Sequence, residues 1–197
     1  MVHIRISDLE EYAKVFYVPI MLKDGIEFLL EYIKNNNIKN ILEIGTAIGY
    51  SSIRMAQVNN DIKVTTIERD SKMYNEALKN IKSFNLDNRI NVIYKDALDV
   101  ELNDKYDLIF IDAAKSQYIK FFEKFKHNLN DNGVIVTDNL SFHGLVKDST
   151  NCSRNTKQLV KKIQNYIDFL KNNKEYDTEF ISIGDGISIT RKKSNLI

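Results

Sequence analysis

Residues 41–51 read Ile-Leu-Glu-Ile-Gly-Thr-Ala-Ile-Gly-Tyr-Ser, an apolar run that meets a glycine turn and passes into a helix beginning near Ser51. Gly45 lets the backbone turn tightly, and Gly49 permits close approach of a ligand or of the following helix. The spacing is not that of the dinucleotide fingerprint, because Ala47 stands where a second glycine would admit a pyrophosphate. The Gly-Lys-Ser/Thr ending of a phosphate-binding loop is also missing. Glu43, a carboxylate beside the turn, would repel a pyrophosphate. It suits a cationic ligand, such as one carrying the sulfonium and amino groups of S-adenosylmethionine.

Outward from this loop the chain alternates. Short runs rich in β-formers occupy residues 40–44, 63–67, 90–94, 108–111 and 134–137, and each is followed by a helical period or a loop. That alternation predicts β-α-β units and a parallel sheet. Upstream, a first helix is expected over residues 6–16, Pro19 breaks the pattern, and a second helical period runs through Ile26, Leu29, Leu30 and Ile33. Downstream, Leu159, Ile163, Tyr166, Ile167 and Leu170 share one helix face, and strand-like runs follow at 178–183 and 186–190. Gly184-Asp185-Gly186 between them is hairpin chemistry, so the last two strands should be antiparallel neighbours. The expected architecture is α/β and Rossmann-like, the methyltransferase type: a mostly parallel seven-stranded sheet with a C-terminal antiparallel hairpin. One domain over residues 1–197 suffices, with residues 1–38 supplying helices that pack on the sheet.

Acidic residues follow successive strands. Glu68 ends the second, where an acceptor pair would grip a ribose diol, and Asp96 follows the third, where it could hold an adenine amino group. Either alone could equally be a helix cap or a solvated loop residue. Asp112 ends the fourth strand, and Asp138 with Asn139 ends the fifth. If these strands are neighbours, their ends lie about 5 Å apart. Two carboxylates and an amide oxygen would then converge, a set that suits magnesium, with manganese or calcium as alternatives. The competing reading makes Asp112 and Asp138 caps. A metal-bound hydroxyl ionises more readily and can attack a sulfonium methyl. Lys115, just beyond Asp112, could act as general base or steer the anion, unless it is a surface lysine.

The 28 basic and 27 acidic residues leave a net charge of +1, so no global field draws the protein onto nucleic acid or membrane. Cys152 is the single cysteine and cannot form an internal disulfide. His3, His127 and His143 are dispersed, which removes a zinc reading, although His143 could line the pocket. The segment Met-Val-His-Ile-Arg-Ile-Ser at the start has no long apolar run, so a cytoplasmic location is expected.

Through residues 43–51, Ile-Asp-Ala-Ala-Lys at 111–115 and Thr-Asp-Asn at 137–139, the sequence resembles the cation-dependent O-methyltransferases of the catechol and caffeoyl-coenzyme A type. Within that family the likeness is greatest to the bacterial members that act on tRNA 5-hydroxyuridine, through stretches such as Tyr12-Ala13, Val-Pro-Ile-Met at 18–21, Gly-Leu-Val at 144–146 and Gly-Asp-Gly at 184–186. The resemblance implies S-adenosylmethionine contacts at Met21, Ser51, Glu68 and Asp96, joining Glu43, Gly45, Gly49 and Asp112 around the loop. It implies metal ligation by Asp112, Asp138 and Asn139, and a homodimer. The implied substrate is the hydroxylated wobble uridine of tRNA, whose 5-hydroxyl and 4-carbonyl present two vicinal oxygens, as a catechol does. Arg154, with Lys157, Lys161 and Lys162, is the candidate RNA contact. A small catechol-type acceptor is the alternative.

Overall fold

The alternating apolar runs become parallel strands β1 (Asn40–Ile44), β2 (Lys63–Glu68), β3 (Ile90–Tyr94), β4 (Tyr106–Ile111) and β5 (Leu129–Thr137). Strands β6 (Tyr176–Ile181) and β7 (Ile187–Lys192) complete the sheet, whose order is β3-β2-β1-β4-β5-β7-β6. Strand β7 runs antiparallel to both β5 and β6. This computed structural model describes residues 4–146, 148 and 152–194, so the expectation for His3 lies outside the described residues.

Side chains alternate across the sheet with period two, and the two faces gather separate cores. Ile41, Leu108, Phe110, Val134 and Val136 face α1 (Ile6–Val15), α2 (Lys23–Asn35), α3 (Tyr50–Gln57) and α4 (Ser71–Ser83), burying Leu9, Ile26, Leu29, Ile53 and Ile81. Leu42, Ile44, Ile109, Ile111 and Ile135 face α5 (Tyr118–Phe125) and α6 (Arg154–Lys171), burying Phe122, Phe125, Ile163 and Leu170. Capping residues fix where helices start. Asp70 accepts from the main-chain N–H groups of Lys72 and Met73, and Ser153 accepts from that of Thr156. Asn37 takes a left-handed φ of 52° just after α2, as its small polar side chain tolerates.

Strand β5 begins five residues before the apolar run predicts. Leu129 pairs with Tyr106 and Val134 with Leu108, so the polar residues 130–133 bulge out of the ladder and hide the strand's start. Asp107 ties this corner together, accepting from the N–H groups of Lys39 and Asn40 and from the Asn130 amide. The hairpin strands also sit differently, β6 two residues earlier and β7 one residue later than the pattern suggests, which widens the turn to residues 182–186. Among the described residues no helix is long and apolar enough to cross a membrane.

The chain leaves β1 toward β2 and β3 on one side, then returns to place β4 on the other. The crevice at the carboxyl ends of β1 and β4 is therefore the switch point at which open α/β sheets bind ligands.

Candidate active site

The glycine loop is shaped by how closely β1 and β4 approach. At Gly45, φ is 102°, and an added Cβ would stand 2.2 Å from the main-chain oxygen of Asp112. No other residue fits there. Ala47 follows with φ 46°, and its N–H donates to Glu68 Oε2 at 2.8 Å. The other oxygen, Oε1, accepts from the N–H groups of Arg69 and Asp70. Glu68 thus knits the end of β2 to the loop. Asp96 accepts from the N–H of Leu98 and from Arg69 Nη1 at 3.2 Å; these bonds hold its carboxyl below the ordinary aspartate range, Leu98 contributing most.

Two expected cofactor contacts lie elsewhere. Glu43 is fully buried and absent from the cavity wall. Strand parity places it with Ile41 on the helical face under α3, not beyond the strand end. There its carboxylate accepts from the hydroxyls of Ser51, Ser52 and Thr66, and Thr66 in turn meets Thr46 Oγ1 at 2.6 Å. Burial pushes the Glu43 carboxyl up to about 7 against the opposing pull of these hydroxyls. Its part is to hold the loop and the first turn of α3 in place. Gly49, at φ 83°, packs on α4, where an added Cβ would lie 3.5 Å from Ala77 Cβ. It is off the cavity wall, and its close approach is to that helix.

At the other end, the register pair Ile111 and Thr137 puts Asp112 and Asp138 side by side after β4 and β5. Burial raises both carboxyls above the usual range, and the neighbouring Asp112 charge raises Asp138 further, to about 7. Asp112 keeps some exposure toward the cavity but is surrounded by protein, so desolvation still dominates. Asn139 takes a left-handed φ of 64°, with its Nδ2 on Asp138 Oδ2 at 3.0 Å and its Oδ1 accepting from Lys115 Nζ at 2.6 Å. Tyr118 donates its buried hydroxyl to the Asp138 carbonyl at 3.0 Å, bracing this corner from below.

A cavity of about 450 Å³ runs along the strand ends. Met21, Gly45, Ser51, Glu68, Asp96, Asp112, Lys115, Asn139 and His143 line it, as the sequence leads one to expect. Asp138 does not. It is 1% exposed, and its Oδ1 is buried without a hydrogen-bond partner. Arg154 stands exposed at the first turn of α6, off the cavity wall. The wall also contains Tyr50, Lys95 and Asp185, which sequence reasoning missed as site residues. Asp185 had a signal in Gly-Asp-Gly, but that signal speaks only of a turn.

A sequence profile of the O-methyltransferase family matches residues 3–193. The chain belongs to the O-methyltransferase family. A candidate caffeoyl-coenzyme A O-methyltransferase of Arabidopsis thaliana is 31% identical over 196 residues, covering 96% of this chain and 84% of the relative. The crystal structure of a candidate caffeoyl-coenzyme A O-methyltransferase from Staphylococcus aureus superposes with a TM-score of 0.92 at 44% identity, covering 96% of this chain and 93% of that one. An O-methyltransferase from Bacillus cereus, solved with S-adenosylhomocysteine, gives 0.80 at 25% identity, covering 95% and 90%. The relatives and neighbours it matches thus include enzymes named for caffeoyl-coenzyme A, and one solved with S-adenosylhomocysteine.

The corner of this O-methyltransferase at Asp112, Asp138 and Asn139 fits a hard divalent cation. Two neighbouring carboxylates, Asp138 buried and Asp112 partly so, repel each other, and one carboxylate oxygen has no partner. The Asn139 amide adjoins Asp138 through Nδ2, while its Oδ1 rests on the Lys115 ammonium. Among the described residues no cluster of three or more His, Cys, Asp or Glu side chains is placed to hold a metal ion, so this corner would rely on two carboxylates and an amide.

Proposed function

We propose that this O-methyltransferase uses S-adenosylmethionine and a divalent cation, magnesium foremost, to convert 5-hydroxyuridine at the tRNA wobble position to 5-methoxyuridine, acting as a cytoplasmic homodimer. One observation carries the reading: a single cavity joins Glu68 and Asp96 at one end to Asp112, Lys115 and Asn139 at the other. Sheet order sets these groups in sequence along the edge, spanning about four strand spacings of roughly 4.8 Å each. An extended nucleoside carrying a methyl donor at its far end fits that layout. Glu68 retains lone pairs for a ribose diol beyond its main-chain bonds, Asp96 adjoins the adenine end, and Met21 and Ser51 close the wall beside the glycine loop.

At the acceptor end, Asp112, Asp138 and Asn139 would hold the cation. Bound there, it would lower the pKa of a hydroxyl it contacts and hold two vicinal oxygens at once. Lys115, set against Asn139, steers the acceptor oxygen or takes its proton, and burial of the corner keeps bulk water from competing. The exposed Arg154, Lys157, Lys161 and Lys162 on α6 support an RNA acceptor. The near-neutral net charge and the names of the relatives favour a second reading, a small catechol-type acceptor.

The test is mass spectrometry of nucleosides from hydroxyuridine-bearing tRNA incubated with enzyme, S-adenosylmethionine and magnesium. Formation of 5-methoxyuridine that a chelator abolishes is the expected result. No methoxy product at saturating enzyme overturns the tRNA assignment, and turnover of free catechols in the same preparation establishes the second reading.

A further inference from the structure

The loop leaving β5 has an unusual backbone. Asn139, Phe142 and His143 adopt φ values of 64°, 46° and 55°, and Gly144 follows at 81°. Three non-glycine residues in the left-handed region within five positions persist only where the surroundings over-determine them. Here the surroundings are the turn between β6 and β7. Asp185 is 4% exposed, and its Oδ1 accepts from the main-chain N–H of His143. The Asp185 carbonyl accepts from the N–H of Ser141 at 2.7 Å, and that of Gly186 from Leu140 at 2.9 Å. The two segments are in full contact, since a Cβ on Gly186 would stand 2.6 Å from Ser141 Oγ.

The same loop forms one wall of the cavity. Asn139 and His143 line it, and the Phe142 ring lies 5.7 Å from the Lys115 ammonium. His143 meets Asp185 twice, because its Nδ1 is also 3.8 Å from Oδ2. Among the described residues, Asp185 pins the middle of the loop from outside it by a side-chain hydrogen bond to its main chain.

We propose that Asp185 is a positioning residue for methyl transfer: its carboxylate, bonded to the His143 N–H, holds the left-handed run 142–144 in place and thereby sets the acceptor end of the cavity. The inference rests on the reading that the methyl acceptor docks beside Asn139. It places no demand on which acceptor docks there.

The experiment compares Asp185→Ala with Asp185→Asn, whose amide oxygen can still accept from the His143 N–H. Three readouts are taken: kcat/KM on whichever acceptor the wild type methylates, S-adenosylmethionine affinity by calorimetry, and amide hydrogen exchange across residues 140–146. For Asp185→Ala the expected result is a loss of about 30-fold or more in acceptor kcat/KM, cofactor affinity within about twofold of wild type, and faster exchange confined to the loop. Asp185→Asn should restore most of the activity and the protection. The proposal is overturned if the alanine variant keeps wild-type exchange in the loop, if cofactor affinity falls in parallel with acceptor kinetics, or if the asparagine variant is as impaired as alanine. Failure of the tRNA assignment shows separately, as absence of turnover on hydroxyuridine tRNA by the wild type, and the exchange readout still decides the role of Asp185.

Discussion

Replacing Glu43 with Gln tests whether a carboxyl group buried beneath the glycine loop resists ionisation. Glu43 is fully buried, accepts three hydroxyl hydrogen bonds, and has its carboxyl raised from an ordinary 4.5 to about 7, chiefly by burial. The folded pKa exceeds the unfolded one, so the native state binds more protons over the interval between them. The associated stability is fully present below about 4.5 and is lost as pH rises through about 7. One pKa unit corresponds to about 1.4 kcal/mol, so between about pH 5 and about pH 8 the wild type should lose roughly 2.5 kcal/mol on this account. Asp112 and Asp138, also raised by burial, titrate in the same direction in both proteins, and the Asp112 charge is the least of the named contributions to the Glu43 shift. Glu43→Gln cannot titrate. It adds a pH-independent loss of about 1 kcal/mol, since one hydroxyl meets an amide N–H in place of an oxygen. Urea denaturation of both proteins across this range should show wild-type stability falling more steeply than that of the variant. Parallel profiles, agreeing within about 0.5 kcal/mol after the constant offset, would refute the reasoning.

Gly45→Ala should destabilise by more than about 2 kcal/mol, because its methyl would collide with the Asp112 carbonyl and the backbone there is left-handed; an unchanged melting temperature would contradict the close approach of β1 and β4. Lys115→Ala should lower kcat by about 10²- to 10⁴-fold while leaving cofactor affinity unchanged in calorimetry, since its partner Asn139 lies at the acceptor end. A drop in cofactor affinity equal to the drop in kcat would place Lys115 in cofactor binding instead.

Much of the fold was legible in local pattern. The central strands β1 and β4 declare themselves because they are apolar enough to be buried on both faces, as Ile41, Leu42, Leu108 and Ile109 are. The half-buried β2 and β3 declare themselves by their β-branched and aromatic residues. The start of β5 was not legible, because residues 130–133 leave the ladder and need no apolar side chains. In the site, Glu68, Asp96, Asp112 and Asn139 could be found because strand ends gather at one edge of a parallel sheet. Asp185 could not, because its importance comes from β7 entering between β5 and β6, which no local signal specifies.

The sequence alone determined the alternation of strand and helix, the sharp turn at Gly45, and the supply of carboxylates at successive strand ends. These are properties of short segments, set by periodicity and by what each residue's backbone tolerates. Only the tertiary structure decided which of those groups face the cavity. It turned Glu43 under α3, set Asp138 behind Asn139, and brought Asp185 against a loop more than forty residues earlier in the chain. Direction and long-range contact are fixed by how elements pack, and packing is not a property of any one segment.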